Sequence, residues 1–193
     1  MPPGARLLDV ACGGGRHLRW FAARGARVTG VDRDASPFAA LATDLGEAVE
    51  LVQADLESAP WPWPGRRFDA VVVTNYLWRP LLPALIESLA DGGVLLYETF
   101  AAGQQRFGRP SNPGFLLAPG ELLAVAATAG LRVVAFEEGL ADHPPRVVQR
   151  LVAVRQAASE VGPCRLAPDA TPDADAGGSP AGIPTPGGPG PAA

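Results

Sequence analysis

Short apolar runs and helical stripes alternate along the chain, and most runs end at an acid or a glycine. Residues 6–10 read as a buried strand that drops into Gly13, Gly14 and Gly15. From Arg16 to about residue 24 the spacing is helical, with Leu18, Phe21 and Ala22 on one face, and Gly25 closes the helix. A second strand, 26–31, ends in Asp32. A helix then opens with Ser36 as N-cap and Pro37 in its first turn, lined by Phe38, Leu41 and Leu45 and ended by Gly46. Residues 49–53 form a third strand, closed by Asp55.

The proline- and tryptophan-rich stretch 57–67 fits neither period and reads as a loop. Residues 68–73 are continuously apolar apart from Asp69, as expected of a central parallel strand buried on both faces. Pro80 opens a helix lined by Leu82, Leu85, Ile86 and Leu89 and ended by Asp91-Gly92-Gly93. Residues 94–97 make a fifth strand running into Glu98, Thr99 and Phe100. The segment 101–117 is too long for a simple connection and is expected to be functional. A helix from Pro119 to about Ala129 precedes strands at 131–136 and 147–154. No helix fits between these two, so they are expected to pair antiparallel. The order predicts an α/β fold of three layers.

Composition changes this picture little. The chain has 193 residues, 47% of them hydrophobic, enough for the core of one domain over residues 1–157. From 158 to 193 it turns to Pro, Gly, Ala and small polar residues, which predicts a disordered tail. The net charge is -4 with scattered arginines, so no nucleic-acid partner is expected. No apolar run reaches the roughly 18 residues of a membrane span, and no secretion signal is visible. Cys12 and Cys164 lie in unlike contexts, which points to a cytoplasmic protein without a disulfide. No metal is expected.

The block Asp9-Val10-Ala11-Cys12-Gly13-Gly14-Gly15, the strand-closing acids Asp32 and Asp55, the run 68–73 and Gly92-Gly93-Val94-Leu95-Leu96 together resemble the class I S-adenosylmethionine-dependent methyltransferases. The likeness covers about residues 5–156. Gly15-Arg16-His17, Tyr97-Glu98-Thr99-Phe100 and residues 107–113 look like the bacterial tellurite-resistance type within that class. The resemblance implies a Rossmann-like, mostly parallel sheet with a C-terminal antiparallel pair. It also implies S-adenosyl-L-methionine as cofactor and a small-molecule methyl acceptor. Family members carry a helix before the first strand, whereas Met1 stands only a few residues upstream of it here. Either the site is more open or the natural start lies further upstream.

Asp32, about 20 residues past the glycine turn, is placed to accept from both ribose hydroxyls. The resemblance implies Asp55 near the adenine amino group, a backbone contact from Leu56, and Asp9 with the turn (Ala11, Gly13, Gly15) at the methionine end. Asn75 belongs beside the sulfonium. Ala11 replaces the family's first glycine, and a positive φ there would be strained. Tyr76, Tyr97 and Glu98 are the candidate catalytic groups, should a base be needed. His17 faces either the donor or solvent, and Arg109 and Asn112 either orient an acceptor or order their loop. Asp69 reads as structural, and Trp61 and Trp63 as packing. Two alternatives stay open: a nicotinamide-dependent oxidoreductase on a similar sheet, and a donor-binding module without catalysis.

Overall fold

The computed structural model describes residues 2–156. The tail expected from residue 158, with Cys164 in it, lies outside the described residues. Seven strands, β1 (Arg6–Val10), β2 (Arg27–Asp32), β3 (Val49–Gln53), β4 (Phe68–Thr74), β5 (Leu89–Phe100), β6 (Arg132–Ala141) and β7 (Arg146–Val154), form one sheet. Their order is β3-β2-β1-β4-β5-β7-β6. The first five run parallel. β7 inserts antiparallel between β5 and β6, as the missing crossover helix requires.

The helices are α1 (Arg16–Ala22), α2 (Phe38–Leu45), α3 (Leu82–Glu87) and α4 (Glu121–Thr128). Alternate strand residues feed two cores, which is why the central strands read as unbroken apolar runs. Leu7, Ala70 and Val72 pack with Leu18 of α1 and Leu41 of α2. Leu8, Val10, Val71, Val73 and Leu95 pack with Leu85 of α3 and Leu122 of α4. Strand order reverses between β1 and β4, and in open α/β sheets ligands bind outside the carboxyl ends at such a point.

Three details differ from the sequence reading. Leu89 is not on a helix: α3 stops at Glu87, and Leu89 pairs with Phe68 as the first residue of β5. The ladder breaks register there, one residue of β4 (Asp69) facing residues 90–93 of β5, and a Cβ on Gly93 would come within 2.7 Å of the Ala90 carbonyl oxygen. Glycines 92 and 93 therefore kink a strand rather than end a helix. Ser36 caps nothing: α2 begins at Phe38 after Pro37, while the Ser36 amide donates to Asp34 Oδ1 at 2.9 Å. The strand before the last turn extends to Ala141, well beyond residue 136. No helix among the described residues is long and apolar enough to cross a membrane.

Candidate active site

The carboxyl ends of β1 and β2 are stitched together by one side chain. Asp32 Oδ2 accepts from the Gly13 amide at 2.8 Å and Oδ1 from the Asp34 amide at 2.9 Å. The carboxylate is thus oriented before any ligand arrives, with lone pairs left over. Ala11 has φ 55°, so alanine does occupy a left-handed position in the turn. Close packing beneath the turn depends on Gly30 in β2, where a Cβ would meet Leu18 Cδ1 at 2.7 Å and Cys12 Sγ at 3.0 Å.

Above these ends lies a cavity of about 450 Å³. Ala11, Asp32, Asp55, Leu56, Asn75 and Tyr76, all expected at the site, line it. Arg33, Glu57, Leu77, Thr99, Phe100, Pro110 and Phe115 line it as well. Thr99, Phe100 and Pro110 stood in the family-like motifs, whereas Phe115 was marked only as part of the long segment 101–117. Asp55 is exposed and already engaged: Oδ1 accepts from the Glu57 amide at 3.1 Å and Oδ2 from Ser58 Oγ at 3.0 Å. Its structural role as a turn-former is therefore present whether or not it also meets a ligand.

Asp9 is the anomaly. It is 1% exposed, and neither carboxylate oxygen has a hydrogen-bond partner among the described residues. His17 Nδ1 stands 3.7 Å from Oδ2, an ion-pair distance rather than a hydrogen bond. Burial pushes the Asp9 carboxyl up to about 7, against a lowering by Arg16 and a further rise from Asp32. Burial and then Arg16 hold His17 below the usual imidazole range, so Asp9 has no cationic partner in His17 at neutral pH. Arg16, exposed on the first turn of α1, places Nη2 3.2 Å from His17 Nε2. Cys12 beside them is pushed up to about 12 by burial, then by Asp9 and Asp32, and stays an inert thiol.

The three candidate catalytic groups separate. The Tyr76 hydroxyl is buried without a partner among the described residues and pushed up to about 12 by burial, then by Glu57 and Asp55, so it remains protonated. Tyr97 is 3% exposed and its hydroxyl donates to the Tyr76 carbonyl at 3.0 Å. Burial, then Tyr76, pushes its phenol well above the usual range. Alternation along β5 puts Glu98 on the α1 side of the sheet. There Arg150 Nε bonds it at 2.6 Å and Arg146 Nη2 at 3.3 Å. Neither Tyr97 nor Glu98 is a free base. Asn75, at φ 55°, donates its amide to the Glu98 carbonyl at 2.9 Å and so ties the ends of β4 and β5.

The loop 101–117 is fastened from below. Arg79 bonds Glu121 through Nε (2.6 Å) and Nη2 (2.9 Å), and reaches the carbonyls of Gly114 and Leu116. Those carbonyls flank Phe115 on the cavity wall. Asn112 Oδ1 accepts from the Gly114 amide at 2.9 Å, an ordering role. Arg109 is exposed and outside the lining, though its carbonyl accepts from Gln104 Nε2. Asp69 pairs with Arg6, and Trp63 is buried against Trp61 and Phe68.

The groups at the carboxyl ends suit a nucleoside carrying a cationic amine. A preset carboxylate faces the cavity for a diol, and a buried, unpartnered carboxylate waits for a positive group. Residues 7–93 match the model of a methyltransferase domain. Malonyl-[acyl-carrier protein] O-methyltransferase of Serratia marcescens is 36% identical over 107 residues, 52% of this chain and 40% of that protein. The chain thus spans about two fifths of that relative's length. TehB of Haemophilus influenzae superposes with a TM-score of 0.65 at 19% identity, covering 79% of this chain and 58% of TehB. The 1,6-didemethyltoxoflavin-N1-methyltransferase of Burkholderia thailandensis, solved with its acceptor and S-adenosylhomocysteine, superposes at 0.62 with 20% identity, covering 80% and 72%. Over residues 7–93 the chain is therefore similar to a methyltransferase domain, on a fold it shares with solved S-adenosylmethionine-dependent methyltransferases.

Proposed function

We propose that the chain transfers a methyl group from S-adenosylmethionine to a small-molecule acceptor in the cytosol. The observation that carries this is the row of carboxylates Asp32, Asp55 and Glu57 along one crevice, with Asp9 buried two residues before the lining residue Ala11 and without a partner for either oxygen among the described residues. S-adenosylmethionine supplies a methyl on positive sulfur, labile to in-line displacement. Asp9 receives the ammonium of the methionine end, and Arg16, which has no acid partner among the described residues, takes its carboxylate. Asp32 accepts from the ribose hydroxyls through lone pairs that Gly13 and Asp34 leave open. Asp55 and Leu56 border the adenine. Asn75 and Tyr76 flank the reacting centre, and Tyr97 fixes Tyr76 through its backbone. The protein thereby contributes alignment and exclusion of water more than acid–base chemistry.

Calorimetry with S-adenosylhomocysteine tests the reading. The wild type is expected to bind it, and Asp32→Ala to lose about 1–3 kcal/mol, the cost of leaving buried donors without an acceptor. No heat from the wild type at millimolar ligand, or binding of a nicotinamide dinucleotide in its place, overturns it.

A further inference from the structure

The crevice wall divides into two chemically unlike parts. The charged groups on it, Asp32, Arg33, Asp55 and Glu57, follow β2 and β3, on the side given above to the donor. The other part follows β4 and β5 and the fastened loop: Asn75, Tyr76, Leu77, Thr99, Phe100, Pro110 and Phe115. It holds three aromatic rings and no charged side chain. Its one buried polar atom without a partner is the Tyr76 hydroxyl. An anion entering this part would shed water with no cation to receive it, and would stand in the field of the neighbouring carboxylates. A flat apolar body meets three rings and only the neutral hydrogen-bonding groups of Asn75, Tyr76 and Thr99.

We propose that the acceptor is an uncharged heteroaromatic compound whose ring nitrogen is methylated, not an oxyanion or a carboxylate. The inference rests on the donor reading above and narrows it. In the transfer, the nitrogen lone pair forms the new bond to carbon while the carbon–sulfur pair returns to sulfur. The sulfur ends neutral, the ring ends positive, and no proton moves. This matches a wall whose tyrosine stays protonated and whose other free polar groups are not bases. The positive charge passes from the sulfur to the ring nitrogen in line with it, within a crevice that Asp32, Asp55 and Glu57 keep favourable to a cation.

The test is calorimetric, on the full chain saturated with S-adenosylhomocysteine. Isoquinoline, 1-naphthoate and selenite are titrated separately near neutral pH. Isoquinoline is expected to bind at least about tenfold more tightly than 1-naphthoate, as an unpaired charge in an apolar wall requires, and selenite not at all. Phe115→Ala is expected to weaken isoquinoline, and Phe115→Arg, which adds a cation at an exposed loop position, to shift preference toward 1-naphthoate. Naphthoate or selenite binding as tightly as isoquinoline, or no heat from isoquinoline, overturns the inference and leaves the donor reading standing. If S-adenosylhomocysteine itself fails to bind, the donor reading falls and this inference with it.

Discussion

Replacing Asp9 by asparagine should make the unliganded protein more stable at alkaline pH while weakening its grip on the donor. Burial raises the folded-state carboxyl from 3.8 to about 7. Between those values the folded state binds more protons than the unfolded one, so stability falls as pH rises through the window and the loss is complete above about 7. At 1.36 kcal/mol per unit, about 3 kcal/mol of that loss falls between pH 5 and 8. His17 has the opposite sign: its lowered pKa withholds stability at acid pH and restores it as pH rises past the unfolded value. Comparing the two proteins at each pH, rather than one protein across pH, largely removes that contribution. The full loss over the whole shift is about 4 kcal/mol, and a buried asparagine amide with unfilled hydrogen bonds costs about 1–3 kcal/mol, so the net gain expected at pH 8 is about 1–3 kcal/mol. Urea midpoints at the two pH values measure it. Saturating S-adenosylhomocysteine should stabilise the wild type more than the variant, because only the wild type offers the ammonium a carboxylate. An Asp9→Asn protein less stable than wild type at pH 8, or with undiminished affinity for S-adenosylhomocysteine, would refute the reasoning.

Other substitutions probe other links. Ala11→Gly releases a left-handed alanine and should raise stability by about 1 kcal/mol in urea denaturation; no change would mean that φ 55° costs nothing there. Gly30→Ala forces a methyl against Leu18 and Cys12 and should cost about 1–3 kcal/mol, read as a lower thermal midpoint. Arg79→Met removes the fastening of residues 114–116, so limited proteolysis should cut within 101–117 faster, with circular dichroism unchanged. Equal cleavage rates would exclude that role.

Much of the fold was legible because its strands are short, apolar and punctuated. β1 to β4 and the terminal antiparallel pair follow from the apolar runs and from the lack of room for a crossover helix. Leu89 was misassigned because its spacing from Leu85 and Ile86 is helical, while what places it in β5 is a pairing with Phe68 far away in sequence. At the crevice, Asp32 was expected from its position past the glycine turn and Asp55 from the family resemblance, and both line it. The fates of Tyr97 and Glu98 could not. Both lie at a strand end facing a crevice in principle, but strand alternation sends one into the core and the other toward two arginines on a neighbouring strand. Phe115 reaches the wall only because Arg79 holds its flanking carbonyls, a contact across the fold that no local pattern announces.

On the donor assignment proposed above, the bond from the Gly13 amide to Asp32 gives one carboxylate two employments: it closes the turn, and it offers the sugar its acceptor. A protein built this way has no cheap route to a different sugar preference. Any exchange at position 32 loosens the very loop to which that assignment gives the methionine end, so the two halves of donor recognition would drift together or not at all.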